Sequence, residues 1–416
     1  MDNSKDNTDT SGSRINIFAQ WFNASNIMTK GIQAAKDMYQ AVYDIDTEMT
    51  ELAKVSSATS SQLNGALNAS TETAKKYGAT ISDVINSTSN WSRLGYNLSD
   101  SEKLAKAATI YKNIGDGIDM NTANKNLFSA LQGYQLNADD ALSIIDKFSA
   151  VAGSLPAGSS GIGEALQHSA ASFYDANTSL SKSLALITGA NSILQNPDNV
   201  GTMWETVSMR IRGADDELRK AGLDTEGMLK NTSQLRDFIS GMTGFDIMTD
   251  DNSLKDVYDI VVGIGEKWRE LTNAEQSSLL EKLAGNENAD ALNAALNNVD
   301  LIQKAYASAE NSDGFALQAQ EASLDTVVGK TQEFQAAFQS LSTTVMDSDL
   351  LKFFLDLGTT GVSALDGLAK TFNTISSLGG NINSSFGSIG ALSGLYAGIK
   401  NVGRVKCYSL TQICLQ

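Results

Sequence analysis

Apolar positions recur along this chain with the period of an α-helix. Met38, Val42, Ile45, Met49 and Leu52 follow one another at spacings of 4, 3, 4 and 3, and small Ala35 and Gly31, then Met28, extend the stripe backwards. Such a 3/4 repeat puts one apolar seam along a helix that packs lengthwise against another. It fits equally the core stripe of a globular bundle or a coiled coil. Capping signals punctuate the next hundred residues. Ser99 with Glu102 reads as a capping box ahead of Leu104 and Ile110, and Asn137 as an N-cap before Leu142, Ile145 and Phe148. The Gly-, Ser- and Pro-bearing run from Gly153 to Gly163 is the strongest loop signal of the interior.

A second helical stretch is expected from about Glu164, through the Pro197 break and the apolar Met203, Val207 and Ile211, to a turn at Gly222. A polar, Gly-bearing stretch from Asn231 to Asn252 follows. Thr272 with Glu275 forms another capping box before Leu279, Leu280 and Leu283, and Gly285 closes that helix. The longest seam comes next: Leu317, then Leu324, Val327, Thr331, Phe334, Phe338, Leu341 and Val345, interrupted at Met346 to Asp349 and resumed at Phe354, Leu365, Leu368, Phe372 and Ile375. Little local sequence is left to cover such a face, so partner helices are expected, including those of other copies. No alternating β-branched runs bounded by hairpin turns occur, so the fold class expected is all-α: helical hairpins and bundle, then long amphipathic helices, then a Gly-rich segment.

The chain therefore divides into a disordered polar N-terminus (1–14), a first helical block (15–152), a linker (153–163), a second block (164–310), long amphipathic helices (311–376), a Gly/Ser-rich segment (377–403) and an atypical end (404–416). The 29 residues from Thr371 to Ile399 carry no charge, and Gly390, Gly394 and Gly398 recur every fourth position. That small-residue face suits close helix packing. Asn373, Asn381, Asn383, Ser384 and Ser385 leave only Phe386 to Ile399 predominantly apolar, short of the ~20 residues of a membrane span. A flexible linker or helix contact and a membrane-active segment both remain open.

Composition removes whole classes of function. The 416 residues include 2 prolines, so long helices are permitted, and a fully helical chain would reach roughly 620 Å at ~1.5 Å per residue. With 31 basic and 48 acidic residues the net charge is −17, which argues against specific nucleic-acid binding, because that affinity rests on basic residues releasing counterions. His168 is the single histidine, so paired-histidine metal sites are excluded. The two cysteines, Cys407 and Cys414, both fall in the last ten residues, so no disulfide frames the body.

Apparent chemical motifs dissolve on inspection. Gly329-Lys330-Thr331 ends like a phosphate-binding loop, but Leu324 stands where the first glycine is required. Asp116 to Asn121 alternates oxygen-bearing side chains as a calcium loop does, yet Leu127 occupies the position of the bidentate glutamate, so a turn is expected. Glu164 and His168 lie one helical turn apart without a second histidine or a nucleophile. The acidic pairs Asp139/Asp140, Asp215/Asp216 and Asp250/Asp251 suit helix starts and turns. No catalytic, cofactor-binding or metal-ligating residues are expected, and the chain reads as a non-enzymatic protein of helix–helix contacts.

In order along the chain, Asn90-Trp91-Ser92-Arg93-Leu94-Gly95-Tyr96, Gly115-Asp116, Leu127 to Tyr134, Ile144 to Phe148, Ala165 to Ala170 and Leu184 to Ala190 resemble the core region of phage tail tape measure proteins from phages and prophages of Gram-positive bacteria. The most specific runs are Asn196 to Thr202, Ser208-Met209-Arg210-Ile211-Arg212-Gly213 and Leu283-Ala284-Gly285-Asn286-Glu287-Asn288. The resemblance covers roughly Asp37 to Leu378. It implies a helical protein that lies in the tail tube lumen, sets tail length by its own length while the tube polymerises, and leaves ahead of the DNA at genome ejection. Implied partners are further copies of the chain, the tail tube protein, tail assembly chaperones, tail tip or baseplate proteins and, through Phe386 to Ile399, the host membrane. Members of that family commonly run longer, and the end from Val405 to Gln416 departs in style, which reads as a truncated or frame-shifted terminus. The alternative from another class is a secreted helical membrane-active or host-interaction protein, which predicts export and insertion of the isolated chain.

Overall fold

The computed structural model describes residues 24–154, 158–229, 231–250 and 252–345. Among the described residues the chain forms seventeen α-helices and no strand, with one isolated antiparallel bridge between Met248 and Leu254. The fold is all-α. The helices are α1 (Ala24–Ser56), α2 (Ser60–Tyr77), α3 (Ile81–Arg93), α4 (Leu98–Ile114), α5 (Met120–Gly133), α6 (Ala141–Ser154), α7 (Ser159–Asp175), α8 (Leu180–Leu194) and α9 (Pro197–Arg212). They continue as α10 (Asp215–Ala221), α11 (Thr232–Thr243), α12 (Val257–Lys267), α13 (Asn273–Ala284), α14 (Ala289–Leu296), α15 (Val299–Glu310), α16 (Phe315–Leu324) and α17 (Val327–Val345).

Local chemistry starts most of these helices. Thr59 and Thr272 make capping boxes with Gln62 and Glu275, and Thr80, Asn97, Asp119, Ser179, Asn231 and Asp256 each accept an amide of the first turn. Pro197 stands at the first position of α9 behind the Asn196 cap, where its missing N–H costs nothing. Two expected starts move. The cap of α4 is Asn97 rather than Ser99, because Asn97 Oδ1 accepts the Asp100 amide at 2.9 Å, leaving Ser99 and Glu102 inside the helix. Asn137 opens a short 3-10 turn, Ala138–Asp140, with its amide donating to the Asp140 carboxylate at 2.8 Å, and α6 begins only after it.

The chain forms two compact units, Thr47–Ala337 and Met1–Asp46 with Phe338–Gln416. In the second, α1 buries Ile45 of the predicted seam together with Ala41, which lies outside it. The first is the larger body. Its α7 lies against α5, α8 and α9, while α15 and α14 cover α8 and α16 crosses α4 and α6. Trp91, Trp204, Trp268, Tyr111, Phe148 and Phe173 are fully buried, each contributing about 2–3 kcal/mol of transfer free energy. Small residues let the axes come close: a Cβ on Gly189 of α8 would lie 2.2 Å from Ile302 of α15. The interior also holds many hydroxyls. Thr88, Thr109, Ser169, Thr206 and Ser208 are buried, and each donates to the carbonyl four residues earlier in its own helix.

Around the stretch expected as a linker, 153–163, α6 reaches Ser154 and α7 starts at Ser159, whose carbonyl accepts from Tyr111 Oη of α4 at 2.8 Å. The polar stretch 231–252 contains α11, whose Leu235 and Ile239 are buried one turn apart. The seam expected to run unbroken from Leu324 is cut between α16 and α17, where Thr326 Oγ1 accepts the Gly329 amide at 3.0 Å and restarts the helix. Leu317, its first member, is 41% exposed. Seam residues from Met346 onward, the uncharged segment, and both cysteines lie outside the described residues.

Candidate functional site

Helix α9 buries Val200, Met203, Trp204, Val207 and Ile211, and on the same side it buries a cation. The Arg210 side chain is 1% exposed. Its Nη1 donates to the carbonyls of Glu281 (3.0 Å) and Lys282 (3.4 Å), and its Nη2 to those of Asp224 (2.7 Å) and Glu226 (3.1 Å). Two of these carbonyls lie in the last turn of α13, where the helix dipole favours a positive charge, and that of Glu281 also accepts the Gly285 amide at 3.0 Å. The Asp224 carboxylate stands 3.5 Å away. Burial pulls the Arg210 pKa below its ordinary value, with Asp224 and Glu281 acting in the opposite sense. Gly285 follows α13 at φ +74°, and a Cβ there would lie 2.8 Å from both Arg210 Nη2 and Asp224 Oδ2. Asn288 then donates to Thr206 Oγ1 of α9 at 3.3 Å. The Ser208–Gly213 and Leu283–Asn288 runs, some seventy residues apart, thus meet at one guanidinium.

A second polar lattice joins the N-terminal helices. Asn124 Oδ1 of α5 accepts from Trp91 Nε1 (2.8 Å) and Ser87 Oγ (2.9 Å) of α3. Trp91 also packs edge-on against Tyr96. From α5, Asn126 Nδ2 donates to Tyr111 Oη of α4 (3.3 Å), and its Oδ1 accepts from Gln167 of α7 (2.6 Å). Burial pushes the Tyr111 hydroxyl well above the usual phenol range, so it acts as a neutral donor to the Ser159 carbonyl. Farther along, Lys182 Nζ of α8 holds Asp256 (2.5 Å) and Asp259 (2.8 Å) at the start of α12. Burial lowers the Lys182 pKa, but the hydrogen bonds to the two carboxylates outweigh it and hold the ammonium above its ordinary value.

The remaining sequence candidates stay apart from these lattices. His168 is 45% exposed and its Nε2 lies 3.3 Å from Asp198, while Glu164 accepts from Ser160. Glu205 of α9 is half-buried, and desolvation raises its pKa against a smaller lowering by His168. Asp119, within the calcium-like stretch, caps α5, and hydrogen bonds to Thr122 lower its pKa. Gly329, Lys330 and Thr331 lie in the first turns of α17. Asp139 pairs with Lys103 and Asp215 with Arg219; the Asp250 carboxylate accepts the Asn252 amide. Among the described residues no group of three or more His, Cys, Asp or Glu could hold a metal ion, and no helix is long and apolar enough to cross a membrane. Sequence reasoning missed Arg210, Asn124, Asn126 and Lys182 as individual residues. The available signal was spacing: Arg210 falls three and seven positions after Val207 and Met203, on the apolar side of its helix.

Arg210, Asn124 and Asn126 do the same kind of work, pinning helix to helix inside an all-α body. The region that contains them is also the region that known sequences share: the profile of the phage-related minor tail proteins matches residues 69–285. The chain belongs to that family, and is thereby a phage tail component. No solved structure matches it.

Proposed function

We propose that this minor tail protein is the tail tape measure, the ruler and scaffold that sets tail length while the tube assembles and departs ahead of the DNA at ejection. The observation that supports this reading is helical continuity. Two prolines occur in 416 residues, and Pro197 stands at the first position of its helix, so no described helix is interrupted by one. Flanking the matched region, α1 alone runs 33 residues, or ~50 Å. The net charge of −17 suits a lumen that DNA must later traverse, since an acidic lining does not hold phosphate. On this reading the partners are further copies of the chain, the tail tube protein, assembly chaperones and the tail tip, and the host is Gram-positive.

In-frame deletions and duplications within residues 346–376 of the phage gene, followed by electron microscopy of the tails, test the ruler. Tail length is expected to change in proportion, by ~1.5 Å for each helical residue removed or added. Assembled tails of unchanged length would overturn it.

A further inference from the structure

We infer that α16 is a clasp, a helix that swings away about Gly314, carrying the start of α17 with it, while residues 47–313 stay folded. Its neighbour α15 shows the contrast. That helix buries Val299, Ile302, Ala305 and Ala309, and Ile302 sits so close to Gly189 that no Cβ would fit between them. Helix α16 fully buries only Ala316 and Gln320 and leaves Leu317 exposed. Part-buried Phe315 and Leu324 lie over Gly153 and Gly78, and the rest of what holds it is polar. Gly314 has no side chain to cap the helix, and the Asp146 carboxylate of α6 does that work from outside, accepting the amides of Gly314 (3.1 Å) and Ala316 (2.8 Å).

Farther along, Gln320 Nε2 donates to the Tyr77 carbonyl at 3.1 Å, while Asn113 Nδ2 donates to that same carbonyl and to Gln320 Oε1. Ser323 Oγ completes the contact on the Asn113 carbonyl at 3.3 Å. All these bonds are exchanged for bonds to water when the helix leaves, so each contributes little net free energy. The apolar burial that resists the opening of α15 is largely missing from α16. An element of that kind opens locally well below the free energy of global unfolding. Gly314 supplies the pivot: its φ is +76°, a backbone conformation that glycine adopts without steric cost. Once released, α16 loses its borrowed cap and frays from its first turn.

Opening at this point would be the first step by which a compact body feeds an extended ruler; that consequence rests on the tape measure reading, and the release itself does not. Hydrogen exchange of the full chain, read by mass spectrometry, tests it. In the unmodified protein, amides of residues 315–324 are expected to exchange at least ~10-fold faster than those of α7 and α9. Asp146→Asn and Gln320→Ala should each widen that gap by a further several-fold without changing α7 or α9, whereas Leu166→Ala in α7 should accelerate the whole unit. Exchange in α16 as slow as in α9, or equal acceleration of both by Gln320→Ala, would overturn the clasp and leave the ruler reading untouched.

Discussion

Arg210 shows how one residue can decide a local architecture. Its guanidinium reaches carbonyls in two directions at once, and no other side chain has donors in that fork. Arg210→Met would take the donor from the carbonyls of Asp224, Glu226 and Lys282, while that of Glu281 keeps the Gly285 amide, and is expected to cost ~3–5 kcal/mol in urea unfolding. Arg210→Lys should recover only part of the loss, because an ammonium cannot serve both directions. A penalty below ~1 kcal/mol for Arg210→Met would mean that water replaces the guanidinium without loss. Glu205 behaves in the opposite way. Burial raises its pKa, so its folded-state value lies above its unfolded one, and its contribution is fully favourable only below the unfolded value of ~4.3. As pH rises through the folded value that contribution is lost. Glu205→Gln should therefore raise the Tm by ~1–2 °C at pH 7, with the gain disappearing near pH 4. Neither residue was legible as special from the sequence, since a helical pattern shows which side a residue is on and says nothing of whether carbonyls wait there to receive it.

Among the elements, caps were the most readable feature and their exact positions the least. Thr272 and Glu275 form the expected box because both partners are local. Ser99 lost the same competition to Asn97 by two positions, since either side chain can satisfy an orphan amide and Asn97 takes that of Asp100. Helix α11 escaped notice because its apolar residues are few. The elements also show that the body is larger than the shared region. Helix α8 buries Leu184, Leu186, Ile187 and Ala190, and α14 and α15, beyond residue 285, supply some of that cover. A fragment of residues 69–285 should bind a hydrophobic dye such as ANS and unfold without a sharp transition, while residues 47–337 should unfold cooperatively. A sharp transition in the shorter fragment, with no dye bound, would show that α14 and α15 are dispensable to the core.

At the level of the whole molecule, the sequence conveyed that apolar helix faces need partners but not whose. Periodicity records a covered face; it is silent on whether the cover comes from another copy or from a helix two hundred residues away in the same chain. For Gln320, Asn113 and Tyr77 the cover came from within, at a separation of 243 residues between the ends. Helices joined across such distances pay a loop-closure cost that grows only slowly with length, so local pattern carries no record of it.

The buried hydroxyls carry a last consequence. Thr88, Thr109, Ser169, Thr206 and Ser208 each bond to their own helix. As donors, these hydroxyls keep their partners whatever packs against the helix. When it leaves one neighbour for another, or trades a protein surroundings for an oily one, these groups do not become orphaned. What ties each helix to a particular neighbour is the separate set of bonds made by Arg210, Asn124 and Asn126.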